Sequence, residues 1–303
     1  MTAREVIAYM ESLRNDEQRQ VLMRFFKTGP GEYGEGDEFL GLKVPQTREV
    51  VKAVLAVNKE PLTKPRLCSA KNPEPLTLNP EPLTIDEVPL LLLSKWHEVR
   101  LCGLLILVDR FERLSTKRLL YDAEAIRGRD EILTMYLRYA ERANNWDLVD
   151  LSAPKILGGW LVAPLLSPRE GEERSCQSDA SLKDERAIKQ RVLDDLAKSD
   201  NLWRQRMSIV CTWKASQQGD PSWCLRYAEM HLHHPHDLMH KAVGWMLREM
   251  GKRCGMDLLR DFLRQHVHEM PRTTLRYAIE KMSDEERQQW MRADADDARY
   301  GVR

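Results

Sequence analysis

Apolar residues recur every three to four positions along nearly the whole chain, the spacing that gathers them on one face of an α-helix. Thr2 to Leu13 and Glu17 to Phe26 read as a short helical pair, followed by a loop that opens at Gly29-Pro30-Gly31 and runs to Pro45. Pro45 suits a first helical position, and the helix it begins extends to about Val57. Further helical runs fall near 85–94, 96–113, 116–141, 145–163, 185–199, 202–217, 221–232, 237–251, 255–267, 271–280 and 283–293. Sustained period-two alternation bounded by turns, the mark of a half-buried strand, is missing from the sequence. The pattern predicts an all-α fold.

Three of these helices resemble one another. Arg100-Leu-Cys-Gly-Leu-Leu-Ile-Leu, Arg206-Met-Ser-Ile-Val-Cys-Thr-Trp and Lys241-Ala-Val-Gly-Trp-Met-Leu-Arg each begin with a cation and continue into small or apolar positions. Arg206 and Lys241 stand 35 residues apart, a helix-pair repeat length. Asp150 fits the same slot in its own helix once a polar insertion, 167–186, is set aside. A second insertion, 59–84, carries Glu-Pro-Leu-Thr three times and reads as a disordered or polyproline-like loop. The expectation is one helical-repeat solenoid over 1–303, in which equivalent positions line one surface.

Composition narrows this only in part. Lys+Arg and Asp+Glu both number 47, so net charge decides nothing about nucleic acid. Between Ala187 and Met282, however, 16 Lys/Arg stand against 11 Asp/Glu, with seven of the eight histidines, a locally basic stretch compatible with phosphate. The six cysteines form no C-x-x-C pair, which suits a reduced intracellular compartment. With no signal-peptide pattern and no apolar run of membrane length, the reading is a soluble protein of cytoplasm or nucleus, an organelle being compatible.

The most informative residues are Trp146 and Asp150, one helical turn apart in Asn144-Asn145-Trp146-Asp147-Leu148-Val149-Asp150. Arg206 and Trp245 lie on later helices. Each alone has an ordinary explanation: a surface carboxylate paired with a neighbouring cation, tryptophans as core anchors, an arginine in an ion pair. Trp203 reads as core. The cluster His231, His233, His234, His236 and His240 lacks the acids or cysteines that would complete a metal site and reads as an inter-helix loop. Glu35 and Asp37 read as caps of the segment that follows them.

Taken in order, Tyr33-Gly34-Glu35-Gly36-Asp37, Leu42-Lys43-Val44-Pro45, His97-Glu98-Val99-Arg100-Leu101, Asn145-Trp146-Asp147-Leu148-Val149-Asp150, Trp203-Arg204-Gln205-Arg206 and Ala242-Val243-Gly244-Trp245-Met246-Leu247-Arg248-Glu249 resemble the AlkD-like DNA alkylation repair proteins. Those are DNA glycosylases built of HEAT-like repeats. The resemblance implies a HEAT-like solenoid with two polar insertions, acting as a monomer on double-stranded DNA that contains alkylated bases, without cofactor or metal. It implies a catalytic Asp150, with Trp146, Arg206 and Trp245 contacting the lesion or its backbone. Arg100, Lys241 and Arg248 are further candidates for phosphate, from their repeat slots and helical spacing. Two other readings stay open: a non-catalytic binder of branched or distorted DNA, and a protein-binding repeat scaffold.

Overall fold

The computed structural model describes residues 1–56, 83–165 and 179–300. Among them the regular structure is helical, and one isolated parallel bridge joins Glu38 to Trp96. The chain divides into two compact units, Met1–Arg113 with Glu131–Ser152, and Leu114–Asp130 with Ala153–Arg303. Apart from Leu83 and Thr84, the proline-rich insertion lies outside the described residues.

The first unit begins with α1 (Ala3–Ser12) and α2 (Asp16–Phe25), continues through α3 (Val44–Ala56), a 3-10 turn Ile85–Glu87, α4 (Val88–Leu92) and α5 (His97–Leu114), and ends at α7 (Trp146–Ser152). Thr2 starts α1 through a reciprocal capping box with Glu5, and Ala3, Val6 and Met10 turn its apolar face inward. Asn15 caps α2 by accepting the Gln18 N–H. The central element is α5, buried continuously from His97 to Val108. An all-round buried helix is the core around which neighbours pack.

The loop between α2 and α3 is tied to the start of α5. The Glu98 carboxylate, 1% exposed, accepts the backbone N–H groups of Leu40 (2.8 Å), Gly41 (2.8 Å) and Leu42 (3.0 Å). Gly41 has φ +90°, and a Cβ there would lie 2.1 Å from the Asn15 carbonyl oxygen, so only glycine fits. Arg142 donates to the last carbonyl of α4, Leu92 (3.3 Å), and to Ser94 (3.0 Å), while Arg100 donates to Ser94 (2.9 Å) and Lys95 (2.8 Å) in the link that follows. These cations satisfy one acceptor that the helix leaves open and those of the link beyond it.

The run expected at 116–141 starts later, as α6 (Ala123–Arg138), and closes in a 3-10 turn Ala140–Arg142. Arg129, almost wholly buried, donates to the carbonyls of Leu114, Leu119 and Leu120, and so holds the preceding residues as turns. The single helix expected at 145–163 is two: α7 and α8 (Leu157–Val162). Pro154 lacks the N–H that would continue the ladder, although the apolar period runs on through it.

The second unit contains α8, α9 (Asp179–Ala197), α10 (Leu202–Val210), α11 (Trp213–Gln217), α12 (Ser222–Met230), α13 (Asp237–Cys254), α14 (Met256–His266), α15 (Arg272–Ala278) and α16 (Asp284–Tyr300). Within the expected polar insertion, residues 179–186 belong to α9, and 167–178 lie outside the described residues. The run at 202–217 breaks where the Thr212 hydroxyl donates back to the Ile209 carbonyl (2.7 Å). Helix α13 is the hub of this unit, packing on α10, α11, α12, α14 and α15. Cys102, Cys211 and Cys224 are buried free thiols, as their apolar surroundings in the sequence imply. No helix of the described residues is long and apolar enough to cross a membrane.

Candidate functional site

Helix α7 presents Trp146 and Asp150 by burying everything between them. Its backbone starts on Asn145, whose side-chain oxygen accepts the Trp146 N–H (2.9 Å). Asp147, Leu148, Val149 and Ser152 face inward, and Ser152 Oγ lies 2.9 Å from the buried Tyr136 hydroxyl. The remaining face, one turn long, carries Trp146 and Asp150, both half-buried. The expected pair therefore shares one surface.

Trp146 rests on an aromatic shelf that the sequence did not single out. Its ring stacks on Phe26 (centroids 5.4 Å, planes 29° apart) and meets the edge of Phe25 (5.9 Å, 71°). Phe26 is buried, whereas Phe25 is 61% exposed. Phe25 thus leaves an open apolar ledge against the edge of Trp146. The available signal was an aromatic residue in a helix otherwise rich in charge, and that signal is weak.

Beneath the shelf lies a buried charge cluster. His97, 2% exposed, places Nδ1 2.8 Å from Asp37 Oδ2 and Nε2 2.9 Å from Asp147 Oδ2. Arg100 donates to the other oxygen of Asp37. Phe39 stacks on the imidazole (4.4 Å, 19°), and Phe26 lies tilted against it (5.0 Å, 35°). Burial works to lower the His97 pKa, but the Asp147 and Asp37 carboxylates outweigh it and raise it to about 9. Burial works to raise the Asp37 carboxyl, yet His97 and Arg100 hold it below the usual carboxylate range. Asp37 is thus an internal ion-pair partner and not the cap expected from the sequence. Glu35 closes the preceding turn instead, accepting the Gly31 N–H (2.9 Å).

The cations expected at phosphate fare unevenly. Arg100, 2% exposed, is committed to Asp37, Ser94 and Lys95, which removes it as a phosphate contact. In the second unit Arg206 is 4% exposed and donates to the Leu238 carbonyl in the first turn of α13, so it is not displayed as an open phosphate-facing head group. Arg248 pairs with Glu280 and with Glu249 (3.2 Å). Lys241 pairs with Asp237 one turn earlier (2.7 Å) and stays partly exposed. Trp245 is half-buried on α13, while Trp203 is core, as expected.

The histidine loop is held by its own bonds. His231 Nε2 lies 2.8 Å from Ser208 Oγ, His234 Nε2 lies 2.8 Å from Gln205 Oε1, and His236 Nδ1 accepts the Leu238 N–H (3.1 Å). Burial, with His234 nearby, lowers the His231 pKa to about 4. Among the described residues no three histidine, cysteine or acidic side chains converge as metal ligands.

The described residues thus define an all-α protein in which one face of α7 carries a tryptophan and a carboxylate, with an exposed phenylalanine against the tryptophan. Comparison with known proteins makes this specific. The family described as DNA alkylation repair enzyme matches residues 6–70, 76–172 and 176–282, and the chain belongs to that family. Membership assigns it a role in DNA alkylation repair. A solved structure described as a predicted DNA alkylation repair enzyme from Enterococcus faecalis is similar in fold, with a TM-score of 0.55 and 13% identity over 89% of this chain and 97% of that one. No curated protein matches the chain.

Proposed function

We propose that the protein is a DNA glycosylase that hydrolyses the N-glycosidic bond of cationic N3- or N7-alkylated purines in duplex DNA. The observation that carries this reading is the half-buried Trp146–Asp150 face beside the exposed ring of Phe25. An N-alkylated purine already bears positive charge and leaves without a general acid. As its bond stretches, charge passes to the deoxyribose. A fixed carboxylate at Asp150 stabilises that charge and orients the attacking water. The indole face of Trp146 adds attraction for the cation and contact for the sugar, with Phe25 extending the surface. Trp245 and Lys241 are assigned to DNA contact in the second unit, and Arg206 to support of the first turn of α13, the helix that carries both.

The burial of Arg206 and the acid partners of Arg248 favour one rival, a binder of distorted DNA without catalysis. Release of 7-methylguanine from methylated duplex DNA separates the two. Release by the wild type and none by Asp150→Asn, with DNA binding retained in both, supports the glycosylase. Binding without release by the wild type supports the rival. An Asp150→Asn protein that excises at the wild-type rate removes Asp150 from the mechanism.

A further inference from the structure

We infer that His97 is a positioning residue: held as an imidazolium between Asp37 and Asp147, it fixes the first turn of α7 and with it the Trp146–Asp150 face. The inference rests on the proposed glycosylase only for its kinetic consequence.

Both ring nitrogens of His97 face carboxylate oxygens, at 2.8 Å and 2.9 Å. A neutral imidazole has one N–H and one lone pair, so only the doubly protonated ring donates to both acids. A lone pair turned against a buried anionic oxygen is repulsive and leaves that oxygen without a donor. Asp37 comes from the loop before α3, His97 from the first turn of α5 and Asp147 from the first turn of α7, so one proton joins three elements. The groups acting on the ring are Asp37 from the loop, Asp147 from α7 and, through Asp37, Arg100 of α5 and Arg142 of the 3-10 turn.

A second route runs through the rings. Phe26 lies against His97 at 5.0 Å and stacks on Trp146 at 5.4 Å. Asp147 directly follows Trp146 and stands three residues before Asp150, within the same helical turn. Loss of the proton would release Asp147 and unseat the support under Trp146 together. The pKa of about 9, raised by Asp147 and Asp37 against the cost of burial, sets where this should happen.

The test uses the full chain with 15N-labelled histidine, the His97 signals being assigned by their loss in His97→Gln. Both ring nitrogens should be protonated at neutral pH and should titrate near pH 9. Trp146 emission, isolated by difference from Trp146→Phe, should change with the same midpoint. Single-turnover release of 7-methylguanine at saturating protein should fall about tenfold between roughly pH 8 and 10 as the imidazolium fraction falls. DNA affinity in His97→Gln should stay close to wild type while base release becomes slow and loses its alkaline limb. If that variant does not fold, the wild-type titration decides alone, the His97 ring then being assigned through its bonds to its own backbone resonances. A ring that titrates at its ordinary value, or one that titrates near 9 with no response from Trp146, overturns the inference. Ring and Trp146 signals moving together without release at any pH would uphold the positioning and overturn the glycosylase.

Discussion

Replacing Glu98 with glutamine isolates one buried carboxylate from every question of activity. Oε1 accepts the N–H groups of Gly41 (2.8 Å) and Leu42 (3.0 Å), and Oε2 accepts that of Leu40 (2.8 Å). A glutamine oxygen in the first position keeps two bonds but makes them neutral, which weakens them by about 1 kcal/mol each. Its NH2 group, in the second position, opposes the Leu40 N–H donor to donor and leaves that buried donor unpaired, at about 1–3 kcal/mol. Easier burial of a neutral amide offsets part of this, so a net loss of roughly 2–4 kcal/mol is expected. Against a typical stability of about 5–15 kcal/mol, that is a large fraction. Pulsed hydrogen exchange along a urea series, read on peptides covering 40–43 and 97–101, follows this unit separately from any other transition. A midpoint shift worth less than about 1 kcal/mol, or unchanged protection of the Leu40 amide, would refute the argument that the charge holds this loop.

Three other outcomes follow from the geometry. A Cβ added at Gly244 would lie 2.4 Å from the Thr274 carbonyl oxygen and 2.6 Å from Tyr277 Cβ, so Gly244→Ala should force α13 from α15 and lower stability by about 1–3 kcal/mol in urea melts. Phe25→Ala should change stability by under about 1 kcal/mol, because the ring is 61% exposed, yet slow base release about tenfold; equal rates would remove the ledge from the reaction. The charge cluster sets a pH window. Asp37, held low in the fold, stabilises above the ordinary carboxylate pKa of about 4 and loses its effect as pH falls through its depressed value. His97, held high, stabilises fully below its ordinary value of about 6.5 and loses its effect as pH rises through about 9. Urea midpoints should therefore be highest between the two ordinary values, and an Asp37→Asn protein with an unchanged acid limb would contradict the assignment.

What the sequence made legible follows the range of each interaction. Helices announce themselves through contacts three and four residues apart, so the all-α class and most helical spans could be read directly. Pro154 and Thr212 break helices without breaking the apolar period, which is why single long runs were expected there. Trp146 and Asp150 were legible as a pair because one turn of one helix relates them. The surroundings of Arg100 and Arg206 were not legible for a related reason: a cation on a helix reads alike whether its head group meets solvent or folds back on a carbonyl. The Asp37–His97–Asp147 cluster joins residues separated by 60 and 50 positions, and no periodicity connects them. Its members were present in the family motifs, but their partnership is a property of the folded chain.

Helix α2 contains no buried residue; it is held at its ends, by Asn15 bonded to the Leu40 carbonyl (2.9 Å) and by the buried ring of Phe26. Local opening of such a helix exposes little new apolar surface, so its free energy is low compared with that of α5. The ledge that carries Phe25 is thus mounted on the compliant part of its unit, while Trp146 and Asp150 are mounted on the stiff part. On the proposed function, Phe25 is the part of this surface that yields first to a curved partner and Asp150 the part that yields last, with the stack of Phe26 on Trp146 as the joint between them.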